Sequence, residues 1–212
     1  MYLLSNKNAL ILGDKVKKVT NAKKEKPYLS QSVTAFFVMR APWLILLMLS
    51  NTFTSLILSG YEDKLAALRD GALLYAFIPM LMGTAGNAGG QTSVTVIRAL
   101  ALEQVHPKNI FRILLKELAV AFLLALTLAS VCFLKLYFLD SLYAGNITAR
   151  VALVISVVLF IAVIISKIVG CLLPLFAKAI RLDPAVVASP FMTTIVDALS
   201  LIVYCSLCVT LL

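Results

Sequence analysis

Asp197 is the residue in this sequence with the most chemistry to offer, because it is an acid set inside a long apolar run. It lies twelve residues past Ala185, which at 1.5 Å per residue is about 18 Å along a helix axis. A carboxylate near the middle of a bilayer costs at least about 3 kcal/mol, so it calls for water, a cation or a partner. Thr194 and Thr193 stand at i−3 and i−4, with Pro190 and Ser189 at i−7 and i−8. On a helix these residues stack on the side of Asp197 and form a polar stripe. Pro190 also frees the carbonyl of Val186, a group able to face an aqueous path.

A second polar cluster runs from Pro79 to Ser93, PMLMGTAGNAGGQTS. Gly86 and Gly90 form a G-x-x-x-G pair, which predicts a close helix crossing. Asn87 and Gln91 exceed what packing requires, and Gly83, Gly86, Gly89 and Gly90 expose peptide carbonyls to whatever lies alongside. Counted from Gly71, the cluster falls at the depth of Asp197, so the two patches can meet. Lys167 offers a competing arrangement. It lies ten residues before Ala177 on the preceding apolar run, at a depth similar to that of Asp197, and a permanent Lys167–Asp197 ion pair is the alternative to a cation site.

The other polar residues read more plainly. Asp183, followed by Pro184, is expected to cap a helix N-terminus. Asp63, Asp70 and Asp140 read as loop charges. His106 is the only histidine, so a zinc site or a nucleophile–His–carboxylate set cannot be assembled, and an enzyme is not expected. Cys132, Cys171, Cys205 and Cys208 all sit in apolar stretches. The C-x-x-C spacing of the last two lacks partner ligands, and free cysteines there behave as small apolar residues.

Five elements must position these residues. Hydrophobic residues make up 61% of the 212 and charged residues 14%, with a mean hydropathy of +0.99. A soluble domain keeps about a quarter of its residues charged. A spanning helix needs about 20 mostly apolar residues. Five segments qualify: Ala41–Gly60, Gly71–Ala101, Phe111–Tyr137, Ile147–Ala177 and Ala185–Leu212. The predicted fold is therefore an all-α polytopic membrane protein. Residues 1–30 form a basic N-terminal segment and 31–212 the membrane domain.

The charge of +9 does not point to nucleic acid, because the basic residues concentrate between the apolar runs. Of the nineteen Lys and Arg, eight lie at or before Arg40, and Arg98, Lys108, Arg112, Lys116, Lys178 and Arg181 join them on one side. Lys64, Arg69, Lys135 and Arg150 fall on the other. This bias predicts an N-terminus inside and a C-terminus outside. The run Asp14–Lys26 is expected to face solvent or anionic headgroups. The stretch Met1–Gln31 lacks the apolar core and small-residue site of a cleavable signal.

The run PMLMGTAGNAGGQTSVTVIRALAL, Pro79 to Leu102, resembles the signature of the MgtE magnesium channel family. Pro79, Gly83, Gly86, Asn87, Gly89 and Gln91 match its spacing, and Arg98–Ala101 its continuation. DPAVVASPFMTTIVDALSLIVY, Asp183 to Tyr204, is similar to the family's last helix, and Arg40–Leu44 to the start of its first. The resemblance implies a homodimer in the cell (inner or plasma) membrane, with an ion pore on its two-fold axis. Asp197 would bind hydrated Mg²⁺ with its symmetry mate, Thr193, Ser189 and Asn87 completing the metal-contacting set. Pro79, Gly83, Gly86, Gly90, Gln91, Thr194 and Pro190 would line the path, and Asp183 is a candidate regulatory metal ligand. Mg²⁺ is the expected ion, with Mn²⁺ and Co²⁺ as alternatives that the same oxygen ligands suit. A Na⁺- or H⁺-coupled exchanger titrating Asp197 and Lys167 is the alternative mechanism, and a structural subunit without transport a third. Family members usually carry a large cytoplasmic domain and a CBS pair ahead of this region. About 27 residues precede it here, which reads either as a short member of the family or as a piece of a longer chain, and in both cases the usual feedback closure is in question.

Overall fold

Two helix starts are written into the sequence and form as written. Thr148 accepts a hydrogen bond on its side chain from the Val151 amide at 3.3 Å. Asp183 does the same for the Ala185 amide at 2.9 Å, with Pro184 in the first helical position. The computed structural model of the chain describes residues 28–144 and 147–212, and side chains at all of these except 143, 144 and 186–190. Every regular element among the described residues is helical.

Five long helices are present: α1 Val33–Ala66, α2 Gly71–Ala101, α3 Ile110–Leu134, α4 Ala149–Ala179 and α5 Pro184–Leu211. A π-helical turn, Lys135–Asp140, extends α3. Among the described residues four helical segments are long and apolar enough to cross a membrane: Val33–Ala66, Pro107–Asp140, Ala149–Ala179 and Phe191–Leu211. The second expected span, Gly71–Ala101, is one helix with the expected bounds. Its Gly-, Thr-, Asn- and Gln-rich section keeps it below the apolarity of the others. At 31 residues it is about 46 Å long, more than the hydrocarbon requires. The first helix is longer than expected, continuing through Tyr61–Lys64 because nothing there breaks it.

The chain divides into two units, one ending at Leu46 and the other running from Leu47 to Leu212. In the first, a turn at Tyr28–Ser30 leads into the start of α1. The Tyr28 ring rests 4.8 Å from that of Phe36, and the Arg40 guanidinium lies 5.0 Å over Phe36. Phe37, Val38, Met39 and Leu44 are exposed, as lipid-facing residues are.

The second unit is built around α4, which packs against α2, α3 and α5. Its residues Val151, Ile155, Val158, Ala162 and Val163 are buried, with Leu74 and Leu81 of α2 and Leu201 and Tyr204 of α5 in the same core. The four-residue link from Ala179 to Pro184 makes α4 and α5 antiparallel neighbours. Arg150, at the start of α4, donates to the Leu211 carbonyl at the end of α5 at 2.7 Å. Tyr204 is fully buried, and its hydroxyl donates to the Leu74 carbonyl of α2 at 2.7 Å. Tyr61 and Ser206 share a 2.7 Å hydrogen bond.

A tight crossing joins α2 to α4, and it is not made by the G-x-x-x-G pair expected to make one. A methyl group added at Gly83, Gly86 or Gly90 would meet no protein atom within 4 Å. At Gly89 it would overlap the Ser166 hydroxyl and Met192 Cε, and at Gly170 the Gly89 carbonyl. Gly89 and Gly170 therefore bring the two backbones together, and the pattern of Gly86 and Gly90 belongs to the opposite side of α2. Gly170→Ala is expected to lower unfolding stability by about 1–3 kcal/mol through overpacking against backbone. Gly90→Ala is expected to leave it unchanged or raise it by up to about 1 kcal/mol through helix propensity. Thermal melting of the two purified variants in detergent checks both.

Candidate ion site

α2 has two faces of different character, and their separation follows from the helical repeat. Ala85, Gly89 and Thr92, at i, i+4 and i+7, all meet α4. The Ala85 carbonyl accepts the Ser166 hydroxyl, Gly89 meets Gly170, and Thr92 meets Lys167. At about 100° per residue, Pro79, Gly83, Gly86, Asn87 and Gly90 cluster roughly 150° away around the helix. Pro79, Gly83 and Asn87 are exposed and Gly86 and Gly90 half-exposed. Five of the six α2 residues singled out from the sequence as path-lining or metal-contacting thus share one face that no described residue covers. Gln91 is exposed at its flank.

On α5 the apolar side is turned into the bundle. Met192, Val196, Leu201, Tyr204, Cys205 and Cys208 are buried. Asp197 is half-buried thirteen residues after Pro184, about 20 Å into the helix. Thr193, one turn earlier, is exposed, and Thr194 is half-buried. Ser189 and Pro190 lie among the residues whose side chains fall outside the described set. Ser200, one turn beyond Asp197, is fully buried, and its hydroxyl has no hydrogen-bond partner among the described residues. It extends the polar stripe in a direction that the sequence reading did not follow, although the i+3 spacing from Asp197 announces it.

The alternative of a Lys167–Asp197 bridge fails. Lys167 is 4% exposed and donates to the Thr92 hydroxyl at 2.6 Å, with its ammonium 3.6 Å from Glu117 Oε2. Thr92 in turn donates to Glu117 Oε2 at 3.3 Å. The physical reason is a choice between two carboxylates. Lys167 reaches one on α3, and equal depth on antiparallel neighbours says nothing about which way a side chain turns. Glu117 was missed from sequence. Its signal was present, because it is the only acid between Pro107 and Leu134. Among the described residues no hydrogen bond or ion pair reaches Asp197, from Asn87 or from anything else, although α2 and α5 pack directly and Gly89 lies against Met192.

Asp183 is exposed and serves as the cap of α5. It lines a cavity of about 420 Å³ together with Lys178 and Arg181. The four cysteines are buried and free. Among the described residues no three His, Cys, Asp or Glu gather where they could hold a metal. Among the described residues one chain therefore presents a single mid-helix carboxylate without a partner, Asp197, since Glu117 is taken by Lys167 and Thr92, and one carboxylate suits a cation that retains water rather than one stripped and caged.

The described residues thus form a multi-helix membrane domain whose mid-helix Asp197 has no charge partner among them. Comparison with known proteins gives the particular family. Residues 78–207 match MgtE, described as divalent cation transporter. The chain is 34% identical over 179 residues to the magnesium transporter MgtE of Thermus thermophilus, covering 84% of this chain and 38% of that protein. It is 33% identical over 165 residues to the magnesium transporter MgtE of Bacillus subtilis (78% and 35%), and 30% identical over 165 residues to that of Enterococcus faecalis (78% and 34%). The chain belongs to the MgtE family and is a multi-pass protein of the cell membrane. It spans a little over a third of the length of these curated relatives.

Because no described residue pairs with Asp197, neutralising it is expected to cost no stability. Asp197→Asn is expected to melt in Mg²⁺-free detergent at or above the temperature of the unaltered chain, the sign following from removal of a partly buried charge. A clear drop would reveal a partner within the fold.

Proposed function

We propose that this chain forms a Mg²⁺ path and lets the ion pass down its electrochemical gradient, with Asp197 as the ion-contacting carboxylate. The single observation that carries this reading is that Asp197 stands deep in α5 without a counter-charge among the described residues, while the buried cation Lys167 is taken by Glu117. Such a carboxylate is tolerated where a cation visits it. Mg²⁺ sheds water reluctantly and is held by one or two carboxylates through retained waters. One carboxylate per chain fits a site shared by two chains, so the path is read as that of a homodimer, with Asp197, Thr193, Ser189 and Asn87 of each copy facing it. Pro79, Gly83, Gly86, Gly90, Gln91, Thr194 and Pro190 line it on this reading. The names of the relatives support Mg²⁺ over Mn²⁺ and Co²⁺, which the same oxygen chemistry would accept.

On the same reading the domain crosses the membrane five times, α2 included, over residues 31–212. Residues 1–30 lie on the cytoplasmic side, where the excess of Lys and Arg belongs, and the C-terminus lies outside. Lipid is the surrounding solvent, nucleic acid is no partner and no reaction is catalysed. A divalent ion entering a negative interior gains about 4.6 kcal/mol per 100 mV, so no coupled ion is needed. An exchanger titrating Lys167 against Asp197 loses its support, because Lys167 is engaged elsewhere. Asp183, exposed and beside two cations, stands as a regulatory ligand only if acids from another segment or chain join it.

Reconstituted in liposomes with an inside-negative potassium diffusion potential and no Na⁺ or pH gradient, the chain is expected to take up Mg²⁺. Asp197→Ala is expected to slow that uptake by at least about tenfold, equivalent to about 1.4 kcal/mol of lost stabilisation in the path. Uptake by Asp197→Ala at the unaltered rate, read with a luminal Mg²⁺ dye, would end this reading.

A further inference from the structure

Lys167, Thr92 and Glu117 are not among the residues assigned to the ion path, and their arrangement is too costly to be incidental. A buried ion pair stabilises a fold weakly, since desolvating two charges offsets most of their attraction, and apolar residues of similar size pack in its place without loss. What a buried polar network does supply is a single geometry. Here one hydroxyl accepts from the α4 ammonium at 2.6 Å and donates to the α3 carboxylate at 3.3 Å, so three helices are tied at one point. Hydrogen bonds from Ser166 of α4 to the Ala85 carbonyl and from Tyr204 of α5 to the Leu74 carbonyl also reach α2, but both end on backbone and neither uses a side chain of α2. Ala85 and Gly89 meet α4 through backbone and small groups, which permit close approach but carry no large side chain to key the rotation of the helix. Thr92 lies one turn beyond Gly89 on the same face. Any rotation of α2 about its axis would carry Thr92 away from Lys167 and turn Asn87 and its glycines by the same angle.

We propose that Lys167, Glu117 and Thr92 form a buried clasp of positioning residues that sets the rotation of α2 and so holds the Gly83, Gly86, Asn87 and Gly90 face toward the ion path. This rests on the transport reading above. Glu117 also lines a cavity of about 410 Å³ with Arg112 and Lys116, so the carboxylate end of the clasp is open on one side while the ammonium end is closed.

The clasp is tested in the liposome uptake assay with Thr92→Val, Glu117→Gln, Glu117→Asp and the double variant Glu117→Leu/Lys167→Met, with Asp197→Ala in parallel. The double variant leaves no unpaired charge and is expected to melt in detergent close to the unaltered chain. Its maximal uptake is expected to fall by at least about threefold, with the half-saturating Mg²⁺ concentration changed less than about twofold, because Asp197 is untouched. Thr92→Val keeps volume and both charges and is expected to do the same. Glu117→Asp, which keeps the charge, is expected to recover more uptake than Glu117→Gln. A folded double variant or Thr92→Val with unaltered maximal uptake would overturn the clasp while Asp197→Ala still abolishes transport. Should the double variant not fold, Thr92→Val alone decides. Absence of uptake by the unaltered chain would instead overturn the transport reading, and the clasp with it.

Discussion

In a low-dielectric slab every charge must be answered by another charge, by dipoles or by water, and the fold of this chain is arranged around that demand. Lys167 is the deeply buried base, and it is answered twice over, by Thr92 and by Glu117. A charged side chain left alone at such depth costs about 2.5–3.5 kcal/mol on insertion scales, so Lys167 could not remain on α4 unless a neighbouring helix met it. The consequence extends past the pair itself. With the ammonium committed to α3, the carboxylate of Asp197 on α5 has no counter-charge among the described residues, and the demand for one passes to whatever enters from outside the chain.

The second constraint is steric. α2 and α4 approach until Gly170 and Gly89 touch backbone to backbone, and Met192 of α5 fits against the same glycine. Small residues at a crossing let dispersion and polar contacts replace the hydrophobic drive that lipid cannot supply. Because this contact uses the face containing Ala85, Gly89 and Thr92, Gly83, Gly86 and Gly90 are turned away from the bundle. A helix rich in glycine on one side only would serve packing alone. Glycine on both sides, with Asn87 on the uncovered one, leaves backbone carbonyls beside an open surface, which a hard cation or its water can use.

Much of the fold was legible in the sequence, and the reasons are simple ones. Apolar run lengths placed α2 and α5 to within a residue of their observed ends, and Asp183–Pro184 marked a helix start that the Ala185 amide confirms. The long first helix was cut short because Tyr61, Glu62, Asp63 and Lys64 look like a loop, yet none of them breaks a helix. Pairings between helices were less legible. Linear spacing shows that Gly86 and Gly90 share a face and that Lys167 matches Asp197 in depth, but it contains no information on which face turns inward. Both inferences therefore failed on rotation, not on depth: Gly89 replaced the pair, and Glu117 replaced Asp197. The composition that made α2 stand out chemically is also what keeps it below the apolarity of a free-standing span.

These facts bear on why one carboxylate per chain is a sensible number for the proposed path. A cage of several acids would bind Mg²⁺ strongly, release it slowly, and require the ion to lose water it holds tightly. A bare apolar passage would exclude it. A single acid flanked by hydroxyls offers enough charge to offset the ion's entry when two copies face each other, and leaves the hydration shell as the direct ligand set. That arrangement works only if no fixed cation competes for the acid. The Glu117–Thr92–Lys167 network takes up the one buried cation among the described residues, so in this reading it determines whether Asp197 is available to the ion.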